Sequence, residues 1–157
     1  MKRTHVFSLM VLIAAIPAAT ASSFFASSAK PCFFAGNAGY ELTGSASADY
    51  IVRIDNNAAN PSLRMQVVDD AAAADFVLVD DGETASSCKG AAAIKSVRLD
   101  PGAPAADLTI AVSAQPADYK IYVRSASFTE QDAAALFAVI WRTARRAGLG
   151  REFAERH

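Results

Sequence analysis

Thr129-Glu130-Gln131-Asp132-Ala133-Ala134-Ala135-Leu136-Phe137-Ala138-Val139-Ile140-Trp141-Arg142-Thr143-Ala144-Arg145-Arg146-Ala147 is the stretch that decides the fold. Ala133, Leu136, Phe137, Ile140, Trp141 and Ala144 recur at spacings of three and four, which draws one apolar stripe along a helix spanning 129–147. Thr129 can cap that helix, and Asp132 completes a variant of the capping box with a charge at the favourable end. Arg142, Arg145 and Arg146 lie off the stripe, where they complement the C-terminal dipole and keep the outer face wet, and Gly148 is a natural stop. A stripe of Leu, Phe, Ile and Trp must be covered, so the rest of the chain has to supply an apolar surface.

That surface is a set of strand-like runs. Tyr50, Val52 and Ile54 alternate with polar neighbours, as do Leu63, Met65 and Val67, and Tyr119, Ile121 and Val123, the period of two expected of half-buried strands. Ile94–Leu99 is a less regular candidate, and Leu108–Val112 is a further run. Phe76–Val79 is apolar on both faces, which predicts a central strand covered on both sides. The connection Asp69–Asp75 is shorter than the dozen or so residues of a parallel crossover, so runs 63–68 and 76–80, if neighbours, should pair antiparallel. An Ala-Asp pair precedes four runs, at Asp49, Asp75, Asp107 and Asp118. Their spacings of 26, 32 and 11 are irregular, so these residues read as strand starts rather than as a repeat. The expectation is one small α+β domain: a mainly antiparallel sheet of five or six strands with the C-terminal helix on one face.

The N-terminus has the three parts of an export signal. Lys2 and Arg3 are followed by an apolar run from Val6 to Ile16, the helix breaker Pro17, and small residues at Ala19-Thr20-Ala21. The run is too short to span a bilayer, which needs about 20 residues. Residues 1–21 are therefore expected to be cleaved, with no transmembrane anchor left; Ser27-Ser28-Ala29 is a second candidate cleavage site. The domain is then 22–157, with 22–47 loosely structured. Ten Arg against five Lys, with abundant Ala, suggest a GC-rich bacterial source and hence a periplasmic or secreted protein.

Fifteen basic and sixteen acidic residues, less Lys2 and Arg3, leave 13 against 16 and a mature charge of −3. Nucleic acid is not an expected partner, because phosphate binding needs a concentrated basic surface. Cys32 and Cys88 are the only cysteines, and in an oxidising compartment a lone pair reads as a disulfide. Redox or metal chemistry at this pair lacks a Cys-x-x-Cys and, after signal removal, any histidine but His157.

The remaining chemistry is thin. Ser86-Ser87-Cys88-Lys89 matches Ser-x-x-Lys, where a lysine could activate the Ser86 hydroxyl, but the flanking sequence is a loop rather than the helix start such enzymes use. Six acids crowd into 69–83, among them Asp80, Asp81 and Glu83 around Gly82. Oxygen clusters suit calcium, yet the alternating ligands of a recognised calcium loop are missing and solvated turns are commoner. Tyr122 alone among the strand aromatics falls on a polar face, beside Lys120 and Arg124. The expected function is an exported, non-enzymatic binding or envelope-accessory protein without a cofactor, acting on an unknown protein or small-molecule partner. The alternatives are a periplasmic small-molecule or cation binder and a small hydrolase using carboxylates or Ser86.

Overall fold

Strands expected to run mainly antiparallel instead run mostly parallel and are interleaved. The computed structural model describes residues 32–80 and 88–147. Eight strands, β1 (Phe33–Ala35), β2 (Ala38–Leu42), β3 (Tyr50–Ile54), β4 (Leu63–Val67), β5 (Phe76–Val79), β6 (Ala93–Leu99), β7 (Leu108–Ser113) and β8 (Tyr119–Arg124), precede a single helix, α1 (Glu130–Arg146). They form one sheet in the order β1-β2-β6-β3-β7-β4-β8-β5. Only β1 and β2 are antiparallel; every other pair is parallel. The expectation of five or six mainly antiparallel strands is therefore corrected to eight strands in a mixed sheet, while the α+β class with one C-terminal helix stands. Two of the strands, β1 and β2, lie in the segment 22–47 that sequence reading left loose.

The interleaving explains how the chain manages parallel pairing with short connections. β4 and β5 are not neighbours: β8 lies between them and pairs parallel with both. A strand of five residues is only about 16 Å long, and the eight residues 68–75 reach about 26 Å, enough to return along it and pass over one intervening strand. The dozen-residue rule assumes longer strands and a helical crossover.

Side chains pointing away from the core fasten these connections. Arg53 donates to Ala103 O (3.3 Å), Arg64 to Ala58 O and Ala59 O (3.4 Å each), and Gln66 to Ala114 O (3.3 Å). Arg53, Arg64 and Gln66 alternate with the buried Val52, Leu63 and Met65, so the connecting loops cover the face opposite the helix. Arg53 and Arg64 are thus tied to loop carbonyls, and Arg98 on the same face donates to the Asp100 carboxylate (2.8 Å).

At the starts of β4, β5 and β7, the residue just before the strand closes the ladder. Asp107 Oδ2 accepts from Ile51 N (2.9 Å) while Asp107 N donates to Ile51 O (2.8 Å). Asp75 makes the same pair with Lys120, and Ser62 with Thr109. In each case the side chain replaces a main-chain carbonyl that the turning chain has carried away, leaving no strand-end N–H unmet. Asp49, Ser62 and Asp75 are 13 apart, a spacing hidden in the sequence because serine stands at the middle position. Asp49 accepts from Ser96 N and Ser96 Oγ, which hold its carboxyl below the usual range; Lys95 adds to this and slight burial opposes it. A depressed folded-state pKa stabilises above the unfolded value and ceases to do so as the pH falls through the folded one. Asp49→Asn should therefore lower the melting temperature slightly near neutral pH, with the difference from wild type disappearing in acid below the ordinary carboxylate range. A difference that persists unchanged there would mean the carboxylate charge plays no part.

The helix is capped as its sequence implies: Thr129 Oγ1 accepts from Asp132 N (3.1 Å) and Asp132 Oδ2 from Thr129 N (2.8 Å). Its burial goes beyond one stripe. Every residue from Ala133 to Val139 is at most 2% exposed, so this middle stretch of α1 is enclosed on all sides, while Glu130 and Gln131 at its start are exposed. The sheet is curled into a half-barrel around it, far enough that the rings of Phe33 on β1 and Phe76 on β5, the two edge strands, lie 5.6 Å apart. Alanine at 133, 134, 135 and 138 keeps the helix thin enough to sit inside such a curve. Leu136 and Phe137 fill the wider spaces against Met65, Leu78, Ile110 and Ile121. Toward its C-terminus the helix emerges: Trp141 is half-buried, its Nε1 donating to Tyr119 Oη (2.9 Å) and its ring carrying the Arg145 guanidinium at 4.8 Å. Arg142 donates to Asp107 O, so part of the basic cluster binds the sheet as well as complementing the helix dipole.

Cys32 and Cys88 form the expected disulfide, with Cα atoms 5.1 Å apart. It joins the residue before β1 to the approach to β6 and passes over β2 at Gly39, where an added Cβ would meet Cys88 Sγ at 2.8 Å and Cys32 Sγ at 3.0 Å. Gly39→Ala should cost about 1–3 kcal/mol in chemical denaturation, the usual range for overpacking. A neutral or stabilising result would show that the bridge can shift aside.

Candidate functional site

Among the described residues, the sequence-derived site candidates do not converge. Cys88 is bridged, Lys89 is exposed, and Ser86 lies outside the described residues, as do Asp81, Glu83 and the signal segment. Asp80 accepts from Ser125 Oγ (3.0 Å), Asp70 caps a short 3-10 turn at Ala71–Ala73, Asp75 closes the β8 ladder, and Asp69 is exposed. Among the described residues no three His, Cys, Asp or Glu side chains are placed to hold a metal ion. An open hollow beside the start of α1 is lined by Thr129, Glu130 and Gln131. The capping box already uses two of the donors there, Thr129 N and Asp132 N, and the Glu130 carboxylate opposes an anion. Burial pushes the Tyr40 phenol above its ordinary value, partly offset by its hydrogen bond with Thr143; it serves as a neutral core residue.

A different feature stands out, at the place where the sheet fails to close. Four large apolar side chains are exposed among the described residues: Phe34 (42%), Val77 (43%), Val79 (41%) and Ile94 (53%). Register puts Phe34, Gly39 and Ile94 side by side across β1, β2 and β6, all on the outer face. Val77 lies beside Tyr122 on the same face at the other edge, so the sequence's one misplaced aromatic belongs to this surface too. Inside the seam, the Phe33 and Phe76 rings close the barrel interior. An apolar band thus borders both sides of a gap whose floor is aromatic.

The backbone adds to it. Asp80 N donates to Arg124 O (3.0 Å) and Lys120 N to Asp75, which fixes the alternation: Phe76 and Leu78 turn their main-chain groups toward β8, and Val77 and Val79 turn theirs to the open edge. The apolar character of Phe76–Val79 on both faces, read as the mark of a central strand, belongs to an edge strand. Such edges are usually blunted by charge, and this one is not. The signal was present in the sequence, but its meaning depended on strand order.

No family model matches the chain, and no curated protein or solved structure is significantly similar to it.

Proposed function

We propose that the protein is an exported, non-enzymatic binding or envelope-accessory protein that takes an extended segment of a partner protein into the seam between β1 and β5. The observation that carries this reading is that three of the four exposed large apolar residues, Phe34, Val77 and Val79, lie on the two edge strands that border the seam, with Ile94 extending the apolar band two strands in and the main-chain groups of Val77 and Val79 turned to the open edge. Strand addition uses both: the edge supplies hydrogen bonds, and alternate side chains of the incoming strand are read by the apolar band and the aromatic floor. The disulfide is compatible with export, as is the lack, among the described residues, of a helix long and apolar enough to cross a membrane.

The test is site-specific photo-cross-linking in the producing cell, with the cross-linker at Val77, Val79 or Ile94 and at the exposed, seam-distant Arg64 as control. The same adduct should arise from these three positions of the apolar band and not from Arg64, and Val77→Asp with Val79→Asp should remove the adduct formed from Ile94. Adducts no different from the control would overturn the reading. Mass spectrometry of the recovered protein checks export separately: it should begin at Ser22 or Lys30, and an intact Met1 in exported material would contradict it.

A further inference from the structure

We infer that the partner strand taken up along β5 is acidic on its outer side, with a carboxylate opposite Val79 that the Arg124 guanidinium receives. This rests on the strand-addition reading and names the chemistry the site selects.

The charge stands on β8, one strand in from the open edge. Tyr119, Ile121 and Val123 pack against the core, so Lys120, Tyr122 and Arg124 line the outer face. Lys120 and Arg124 are both exposed, but they are not equivalent. Lys120 lies by the start of β5, where Asp75 accepts from its main-chain N–H (2.6 Å) and brings a carboxylate of its own. Arg124 lies beside Val79 at the other end. The acid that follows Val79, Asp80, accepts from Ser125 Oγ (3.0 Å). Among the described residues the Arg124 guanidinium has no hydrogen-bond or ion-pair partner. An exposed guanidinium is therefore left next to the two valines whose main-chain groups face the open edge.

Those main-chain groups fix what reaches it. A strand bonded to β5 lies about 5 Å from it and about 10 Å from β8. The side chain opposite Val79 points outward with it, and a Glu there can run its stem along the valine to meet Arg124, whose own stem covers the other side. The planar guanidinium pairs two-pronged with a carboxylate, which makes acid the chemistry it favours. Two positions along, the outer residue meets Val77 and Tyr122 and is favoured as apolar. The residue between them points inward to Phe33 and Phe76.

A membrane surface is a poorer fit, because attraction to anionic lipid takes clusters of about four to eight basic residues. A second copy presents suitable residues, since Asp75 stands two positions before Val77. Two four-residue edges paired together nevertheless bury well under the roughly 1,200 Å² that stable complexes reach.

Fluorescence anisotropy tests this on mature protein with two labelled peptides, one with the core Ile-Glu-Ile-Val-Ile-Glu-Ile, which suits either strand direction, and one with Lys in place of each Glu. At low salt the wild type should bind the acidic peptide about fivefold more tightly, and added salt should erode the preference. Arg124→Glu, which alters an exposed side chain and should leave the melting temperature unchanged, should invert it. Equal binding of the two peptides by the wild type, binding of neither, or an unchanged preference in Arg124→Glu overturns the proposal. A dimer in sedimentation that Arg124→Glu abolishes names a second copy instead, and uptake on phosphatidylglycerol vesicles with neither peptide bound names a membrane; both overturn it. In the producing cell, loss of the Ile94 adduct in Arg124→Glu supports the acidic partner. An adduct that survives Arg124→Glu but is lost with Val77→Asp and Val79→Asp removes the acid and keeps the strand-addition reading.

Discussion

Phe137→Ala should destabilise the protein by about 3–5 kcal/mol, the range for truncating a large buried aromatic, whereas Trp141→Ala should cost roughly half as much. The difference follows from the curl of the sheet. Phe137 is 2% exposed, with the rings of Phe76 and Tyr119 each 5.3 Å away, and through Phe76 it connects to Phe33 on the opposite edge strand. Its removal leaves a cavity where the helix, both edge strands and β8 meet, and the half-barrel cannot collapse onto it without unrolling. Trp141 sits where the helix leaves the barrel. It is half-buried at the margin of the core, and its loss removes a hydrogen bond and an edge contact with Tyr119, the contact with Arg145 and a smaller share of enclosed volume. Urea denaturation of the two variants measures this directly. Equal costs would mean that the sheet grips the C-terminal half of α1 as tightly as the N-terminal half, which the geometry denies.

Much of this fold was legible because some signals are local. The spacing of Ala133, Leu136, Phe137 and Ile140 marks a helix regardless of what surrounds it, and the Thr129–Asp132 cap formed where the residues called for it. The alternation in Tyr50–Ile54 and Tyr119–Arg124 likewise needs no partner to be read. Strand order is different, since nothing in Leu63–Val67 records that β7 and β8 will flank it. The antiparallel inference assumed that consecutive strands are neighbours, and interleaving removes that premise. The all-round burial of Ala134, Ala135 and Ala138 was equally hidden, because alanine suits an exposed helix face as well as a tight enclosure.

The candidate site was illegible for a related reason. The acids and the Ser-x-x-Lys match attracted attention as recognisable chemistry, while Phe34, Val77, Val79 and Ile94 read as ordinary core. They gain significance only from where the sheet stops, a property of the whole topology. Gly39 belongs with them: its need for hydrogen in place of a methyl is set by two sulfurs, one seven residues before it and the other 49 after.

Replacing both cysteines, Cys32→Ser with Cys88→Ser, should lower stability by about 4 kcal/mol, because the bond closes a loop across a sequence separation of 56 and the chain-entropy cost grows with the logarithm of loop length. The enclosed chain runs from β1 through β5, so it includes both edge strands and every strand between them except β6, β7 and β8. The bond therefore does more than restrict the unfolded chain, since it fastens β1, a three-residue strand with one antiparallel neighbour, to the start of β6 across β2. Without it, β1 has little to hold it against the seam. Two readouts separate these contributions. Denaturation of the double variant gives the total, and hydrogen exchange over Phe33–Ala35 against Leu108–Ser113 in native conditions shows whether β1 loosens ahead of the central sheet. A thermodynamic cycle with Gly39→Ala completes the argument: the alanine should cost clearly less once both sulfurs are gone, leaving only the tight approach of the Cβ at position 88, and a coupling of about 1 kcal/mol or more is expected of groups in direct contact. Additive losses, with β1 exchanging no faster than β7, would make the bridge a restraint on the unfolded chain alone and leave the seam's width to be set by Phe33, Phe76 and Phe137.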